Sequence, residues 1–245
     1  MTDPAYSNGY FEKLGVFVAA RLGSSRLPRK ALLPLGDTSV LDYLLTRLSA
    51  RNRKAFVGLL TTTLEDDKDL VPTATNLGLP VFRGHPTDLM QRYLDAAIQW
   101  EREWVCRVTA DCPFVDSDLL EDFLSRAHQV SPGVDCISTK GQYPIGLDFE
   151  LFRTSALERA LKEPNLTQDH REHLTLYFYE HPKRYKVKRV SPPGHWKPTT
   201  IEFTLDTPSD VEKICFIAAW LREHQATITQ DLPRLVDALC REQRA

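Results

Sequence analysis

The chain has 245 residues, 42% hydrophobic and 26% charged, and its 31 Lys and Arg against 33 Asp and Glu leave a formal net charge of −2. This is ordinary globular composition; so weak a net charge gives no footing for nucleic acid, and no apolar run approaches the ~18 residues of a membrane span. The five cysteines, Cys106, Cys112, Cys136, Cys215 and Cys240, are odd in number and never spaced C-x-x-C, which argues against a disulfide framework or zinc site.

Residues 1–13 read as a loosely held tail, and the opening MTDPAYSNGYFEK has neither a basic n-region nor an apolar h-region, so a cytoplasmic protein is expected. Residues 14–245 read as a single domain with a small insertion. Gly15 to Ala20 is a short apolar run that breaks off into Arg-Leu-Gly-Ser-Ser-Arg-Leu-Pro-Arg-Lys, so a buried first strand feeds a loop. That loop carries Arg21, Arg26, Arg29 and Lys30, with no acidic residue between Glu12 and Asp37. Cations so close together repel one another, and Gly23, Ser24 and Ser25 supply backbone with bare N–H groups. The loop therefore suits a polyanion such as a triphosphate, the alternative being a solvated basic loop. It is neither a Walker A loop nor G-x-G-x-x-G.

Thr38 or Ser39 can cap a helix whose apolar face is Val40, Leu41, Leu44, Leu45 and Leu48, and Ala55 to Leu60 reads as a second strand. Leu64 to Leu77 reads as a polar helix and Leu79 to Phe82 as a third strand. Thr87 or Asp88 can cap a helix carrying Leu89, Tyr93, Ala96, Ala97 and Trp100 at helical spacing. Trp104 to Val108 is a fourth strand ending at Thr109-Ala110-Asp111-Cys112-Pro113, and Asp116 to Val130 a capped amphipathic helix. The alternation predicts an α/β fold with an open, mostly parallel central sheet, whose ligands sit beyond the carboxyl ends of the strands. After Val134 the rhythm changes. Short strands are expected at 135–138, 143–147 and 149–152, helices at 154–163 and 168–180, extended chain at 185–190 and 201–205, and closing helices at 207–222 and 230–241.

Asp111 ends a strand and precedes Cys-Pro, whose proline holds the chain extended. A carboxylate aimed from there at a basic loop is placed to hold Mg²⁺; the alternative is a turn aspartate bonding its own backbone. Asp206 precedes Thr207-Pro208, which account for a helix start without it and leave its carboxylate free. Alternation puts Asp148 and Glu150 on one strand face, either toward solvent or toward sugar hydroxyls. His-Arg-Glu-His at 170–173 is not H-E-x-x-H.

The stretch A-R-x-G-S-S-R-L-P-x-K-x-L-x-x-L resembles the signature of the sugar cytidylyltransferases, the branch with 3-deoxy-manno-octulosonate and acylneuraminate cytidylyltransferases and spore-coat polysaccharide proteins. Matching motifs recur down to about Glu212; one departure is Arg29, where the family usually has Gly. The resemblance implies a Rossmann-like nucleotide-diphospho-sugar transferase fold, CTP and an acidic sugar as substrates, and a homodimer. It places a sugar-side and dimerisation subregion at about 134–200.

It further implies that Ala19, Ala20, Arg21, Gly23, Ser24, Ser25, Arg26, Lys30, Arg83 and Ala110 hold the nucleotide. Arg21, Lys30, Asp111 and Asp206 would be catalytic, the two aspartates binding Mg²⁺, and Asp148, Glu150, His173 and Tyr177 would face the sugar. Three alternatives stay open: a nucleotide-sugar-dependent glycosyltransferase, a cytidylyltransferase for another small acid or phosphonate, and a non-catalytic nucleotide-binding relative.

Overall fold

The structure, a computed structural model, describes residues 13–50, 56–129 and 133–242. The expected tail, save Lys13, lies outside them, as do Ala55 and Val130 at the ends of two expected elements.

Strand β1 (Leu14–Ala19) is followed by the basic loop, a 3-10 turn at Lys30–Leu32, the short antiparallel pair β2 (Pro34–Leu35) and β3 (Thr38–Ser39), and helix α1 (Val40–Ser49). Then come β4 (Phe56–Thr62), a 3-10 segment at Asp66–Leu70 running into α2 (Val71–Thr75), β5 (Val81–Gly84), α3 (Leu89–Gln99), β6 (Trp104–Thr109) and α4 (Ser117–Ala127). The second half supplies β7 (Cys136–Ser138), β8 (Glu150–Arg153), α5 (Thr154–Leu161), α6 (Gln168–Glu172), α7 (Leu176–Glu180), β9 (Val187–Arg189), α8 (Asp210–Glu223) and α9 (Ile228–Glu242).

The main sheet has seven strands in the order β5-β4-β1-β6-β8-β7-β9. All pairs are parallel except β6 with β8 and β8 with β7. Strand β1 lies inside the sheet between β4 and β6 and is apolar throughout because both faces are covered. Leu14, Val16 and Val18 meet a core built with α1, α4, α8 and α9, while Phe17 meets a second core built with α3, α5 and α7. No described helix is long and apolar enough to cross a membrane.

Three helix starts follow the expected chemistry: Ser39 accepts from Asp42 N–H, Asp88 from Gln91 N–H and Asp116 from Leu119 N–H. Elsewhere tertiary demands override the local pattern. The expected helix at 64–77 is two short pieces, because Asp67 is buried and turned inward, where it accepts from Leu22 N–H at 2.7 Å and from the Thr62 hydroxyl. The expected helix at 168–180 breaks at Leu174, which has φ +29°.

The expected strand at 143–147 is a turn on Gly146, at φ +88°. A Cβ there would stand 2.6 Å from the Phe203 carbonyl carbon, so only glycine lets the two segments meet. Segment 201–205 belongs to no strand and is tied down singly, Phe203 N–H to Ile145 O and Leu205 N–H to Asp111 O.

Candidate functional site

The carboxyl ends of β5, β4, β1 and β6 lie along one edge of the sheet, and the basic loop leaves β1 there. Leu22 and Leu27 anchor it in the core, and its backbone is pinned by Asp67 and by Arg29 N–H to Leu22 O at 3.0 Å. Ser24 Oγ accepts from Leu27 N–H, and nothing lies within 4 Å of where a Cβ on Gly23 would sit. Ala19 and Ala110 tie this edge together, Ala110 N–H donating to Ala19 O, while Ala20 N–H donates to Leu60 O.

Each of the loop's four cations meets a carboxylate from a distant part of the chain. Arg21 pairs with Glu172, Arg26 with Asp206, Arg29 with Asp69, and Lys30 with both Asp111 and Asp206. Only Lys30 is largely enclosed, with 15% of its side chain exposed against 48–65% for the three arginines. Solvent discounts the arginine pairs, leaving Lys30 as the strong contact.

Lys30 Nζ stands 2.7 Å from Asp111 Oδ2 and 2.9 Å from Asp206 Oδ1. Burial works against the charge on Lys30, but Asp111 and then Asp206 outweigh it and raise its pKa. Burial likewise works against the Asp111 carboxylate, and Lys30, aided by Thr109 and Cys112, carries it below the usual range.

Asp111 sits two residues past the end of β6, in the turn closed by Cys112 N–H to Thr109 O. Asp206 reaches it from the other end of the chain because Leu205 N–H donates to Asp111 O at 2.9 Å. The helix start expected at Thr207 is displaced to Asp210. The Asp210 carboxylate, rather than a Thr207 cap, accepts the N–H groups of Asp206 and Thr207 and the Thr207 hydroxyl, which frees the Asp206 side chain for Lys30.

The two aspartates offer hard oxygen donors around a point already filled by a cation, a set that fits Mg²⁺ or Mn²⁺ rather than a soft metal. No group of three or more His, Cys, Asp or Glu suited to a metal occurs among the described residues, so further ligands would come from phosphate and water.

Beside Asp111 opens a cavity of about 240 Å³ lined by Arg107, Thr109, Lys140, Asp148, Glu150 and Thr204 among others. Larger grooves of about 450, 650 and 620 Å³ lie elsewhere and touch neither Lys30 nor either aspartate. Asp148 Oδ1 accepts from Gly146 N–H, and burial raises its carboxyl pKa.

Other expected positions need correction. Glu150 is neither solvent-facing nor free for a sugar hydroxyl: at 3% exposure it pairs with Arg107 and accepts from Thr175 and Tyr179. Tyr177 is 1% exposed and faces away from the cavity, stacked on His181 and edge-on to His170; Tyr179, two residues later, is the tyrosine that reaches Glu150. His173 is exposed just past α6 and does not line the cavity. Arg83, expected just after the third strand as a nucleotide contact, lies within β5, and its guanidinium braces the carbonyls of Thr62 and Leu64.

Arg107, Lys140 and Tyr179 escaped the sequence reading. A charged residue inside the apolar run Trp104 to Thr109, in phase with Asp111, was the available signal for Arg107. A nucleotide-sugar-dependent glycosyltransferase would present Asp-x-Asp to its metal, but in Asp116-Ser-Asp118 the first aspartate caps α4 and pairs with Arg47, and in Asp67-Lys-Asp69 both bind the basic loop, Asp67 at Leu22 N–H and Asp69 at Arg29.

The chain is similar to known proteins over most of its length. A family model described as cytidylyltransferase matches residues 16–229. The spore coat polysaccharide biosynthesis protein SpsF of Bacillus subtilis is 32% identical over 201 residues, 80% of this chain and 82% of that one. The structure of a cytidylyltransferase from Leptospira borgpetersenii serovar Hardjo-bovis superposes with a TM-score of 0.83 at 29% identity, over 95% of each chain. A CMP:2-keto-3-deoxy-manno-octonic acid synthetase solved with CTP shares the fold, with a TM-score of 0.62 at 17% identity over 85% of this chain and 99% of that one. The matched span runs from β1 into α9 and takes in the basic loop, Asp111 and Asp206; the chain belongs to the cytidylyltransferase family and is a nucleotidyltransferase.

Proposed function

We propose that the protein transfers CMP from CTP to a hydroxyl of a small acidic sugar, of the 3-deoxy-octulosonate or nonulosonate type, with Mg²⁺ as its metal. The product would be a CMP-sugar for surface polysaccharide biosynthesis, released together with pyrophosphate. One observation carries this reading: the Lys30 ammonium bridges Asp111 and Asp206 at the mouth of a basic loop, so a phosphate clamp and a two-carboxylate cation site occupy the same place.

Asp111 and Asp206 would hold the cation. When bound, it polarises the α-phosphate and lowers the pKa of the attacking hydroxyl. Lys30, released from the carboxylates, would join Arg21 and Arg26 on the β- and γ-phosphates and stabilise the leaving pyrophosphate. The acceptor oxygen forms its bond to the α-phosphorus as the bridge to the β-phosphate breaks, and the hydroxyl proton goes to water. Nothing in the site calls for a covalent enzyme intermediate.

The test is a screen of the four nucleoside triphosphates against a panel of acidic sugars, scored by pyrophosphate release. CTP with at least one acid should turn over. Thermal stabilisation by CTP and Mg²⁺ without turnover on any acid would favour a non-catalytic binder instead.

A further inference from the structure

We infer that Arg107, fixed in place by Glu150, receives the anionic group of the acceptor and thereby selects for an acid. The inference rests on the proposed transfer reaction in one respect, that the cavity beside Asp111 is where the acceptor lies.

Arg107 is out of place in its own strand, for Val105, two residues earlier on the same face, is 0% exposed. A guanidinium in such a setting needs a partner charge. Glu150 on the adjoining strand supplies it, accepting from Arg107 Nη1 at 2.6 Å across the β6–β8 register. Glu150 is fixed in turn: its other oxygen accepts the hydroxyls of Thr175 and Tyr179, each at 2.6 Å, and Tyr179 Oη lies 2.7 Å from Ser138 Oγ. The carboxylate is therefore buried and engaged at both oxygens, so its work is to orient Arg107.

Arg107 itself is not used up. Its side chain keeps 22% exposure and lines the cavity, and its hydrogen bond to Glu150 is made through Nη1. A guanidinium carries five donors in a planar fork matched to a carboxylate, and one pair with Glu150 does not use them all, so a partly exposed arginine lining a cavity is suited to an anionic ligand. The surrounding charges make the same demand. Asp111, Asp148 and Glu150 all line the cavity, and without a cation those three carboxylates would repel an acidic acceptor. Lys140 at the rim, its ammonium 5.9 Å from the centre of the Tyr179 ring, adds a second positive charge.

Arg107, Thr109 and Asp111 line the one cavity, so an acceptor whose oxyanion sits on Arg107 has room to turn its hydroxyl toward Asp111. Asp148 remains the group for the sugar's other hydroxyls. In this arrangement Arg107 touches substrate, and Glu150 and Tyr179 are positioning residues.

The experiment compares wild type with Arg107→Lys, Arg107→Gln and Glu150→Gln. Pyrophosphate release is measured with CTP and Mg²⁺ on 3-deoxy-manno-octulosonate, N-acetylneuraminate and the C1 alcohols of both, with thermal-shift measurements alongside. Arg107→Lys keeps the charge but loses the fork, and should raise the KM for the acid at least tenfold with the CTP KM within twofold. Arg107→Gln should erase most of the preference for acid over alcohol. Glu150→Gln keeps the hydroxyl partners and should raise the acid KM about tenfold, which tests the inference even if both Arg107 variants fail to fold. An unchanged acid KM in Arg107→Lys, equal losses in the KM for CTP and for acid, or a wild type that prefers the alcohols would overturn the assignment. If an acid turns over but Arg107→Lys leaves its KM unchanged, this inference fails alone; if CTP does not bind or no acid turns over, the transfer reaction itself fails.

Discussion

Replacing Lys30 with Met removes the one charge that lies between Asp111 and Asp206 while keeping most of the side chain's volume. The ammonium stands 2.7 and 2.9 Å from the two carboxylate oxygens, with 15% of the lysine and 25% of each aspartate side chain exposed. At an effective dielectric constant of ~20, each contact is worth about 6 kcal/mol of attraction before desolvation is charged against it. Breaking a buried pair from one side costs about 3–5 kcal/mol, and this partly open site should fall lower, about 2–4 kcal/mol. Arg26 still reaches Asp206, but its side chain is 65% exposed and compensates little. For a chain of this size the loss corresponds to a fall in Tm of roughly 5–12 °C.

The diagnostic part is the response to metal. In wild type a divalent cation must displace an ammonium, whereas in Lys30→Met it meets two carboxylates left facing each other. Mg²⁺ at ~100 times its Kd returns about 2.7 kcal/mol, so Mg²⁺ without nucleotide should raise the Tm of the variant more than that of wild type. Pyrophosphate release should fall by at least ~10³ because the leaving group loses its enclosed cation. The readouts are differential scanning calorimetry with and without Mg²⁺, CTP titration and turnover. A variant with wild-type Tm, an equal Mg²⁺ response and unchanged CTP affinity would refute the reasoning.

Arg29 adopts φ 57°, ψ 23°, a left-handed conformation that a side chain disfavours by roughly 1–2 kcal/mol, and its exposed pair with Asp69 repays about 0–1. Arg29→Gly should therefore leave Tm within about 3 °C of wild type, and a larger fall would show a further contact for Arg29. Tyr179→Phe, which removes a hydroxyl from Glu150, should raise the acceptor KM several-fold, whereas Tyr177→Phe, buried away from the cavity, should leave turnover kinetics unchanged. The reverse order of effects would restore Tyr177 to the sugar side. Burial works against the Asp210 carboxylate, but Lys213 and the N–H groups of Thr207 and Asp206 hold it well below the usual range. A depressed carboxyl stabilises the fold above its unfolded pKa, near ~3.9, and loses that contribution as pH falls through its folded value. Urea midpoints of wild type and Asp210→Asn should thus differ at pH 7 and converge toward pH 2, and a gap that stays constant with pH would exclude this source of stability.

The parallel half of the fold was readable because its signals are local. Ser39, Asp88 and Asp116 announce helix starts by one side chain and one N–H group, and Leu41, Leu44, Leu45 and Leu48 repeat at the period of the face they bury. The second half depends on partners far away in sequence. Nothing near Glu150 states that β8 will insert antiparallel between β6 and β7, and nothing near Gly146 states that Phe203 will press on it. The break at Leu174 changes the helical phase, which is why the tyrosine at Glu150 is Tyr179 and not Tyr177. Within the site, charge and strand ends alone marked the basic loop and Asp111 as candidates, with a solvated loop and a turn aspartate left open beside them. The meeting of Asp111 with Asp206 could be anticipated only from the family resemblance, because it is made by the Leu205 to Asp111 backbone bond and the Asp210 turn.

The most direct test is pyrophosphate release by Asp111→Asn, Asp206→Asn and the double variant, with Mn²⁺ binding in the presence of CTP followed by electron paramagnetic resonance. If both carboxylates serve one cation, each single variant should lose roughly 10³-fold or more in rate together with the Mn²⁺ signal change, and the double variant should lose little further. Near-normal turnover by either single variant, or losses that multiply in the double, would contradict the account.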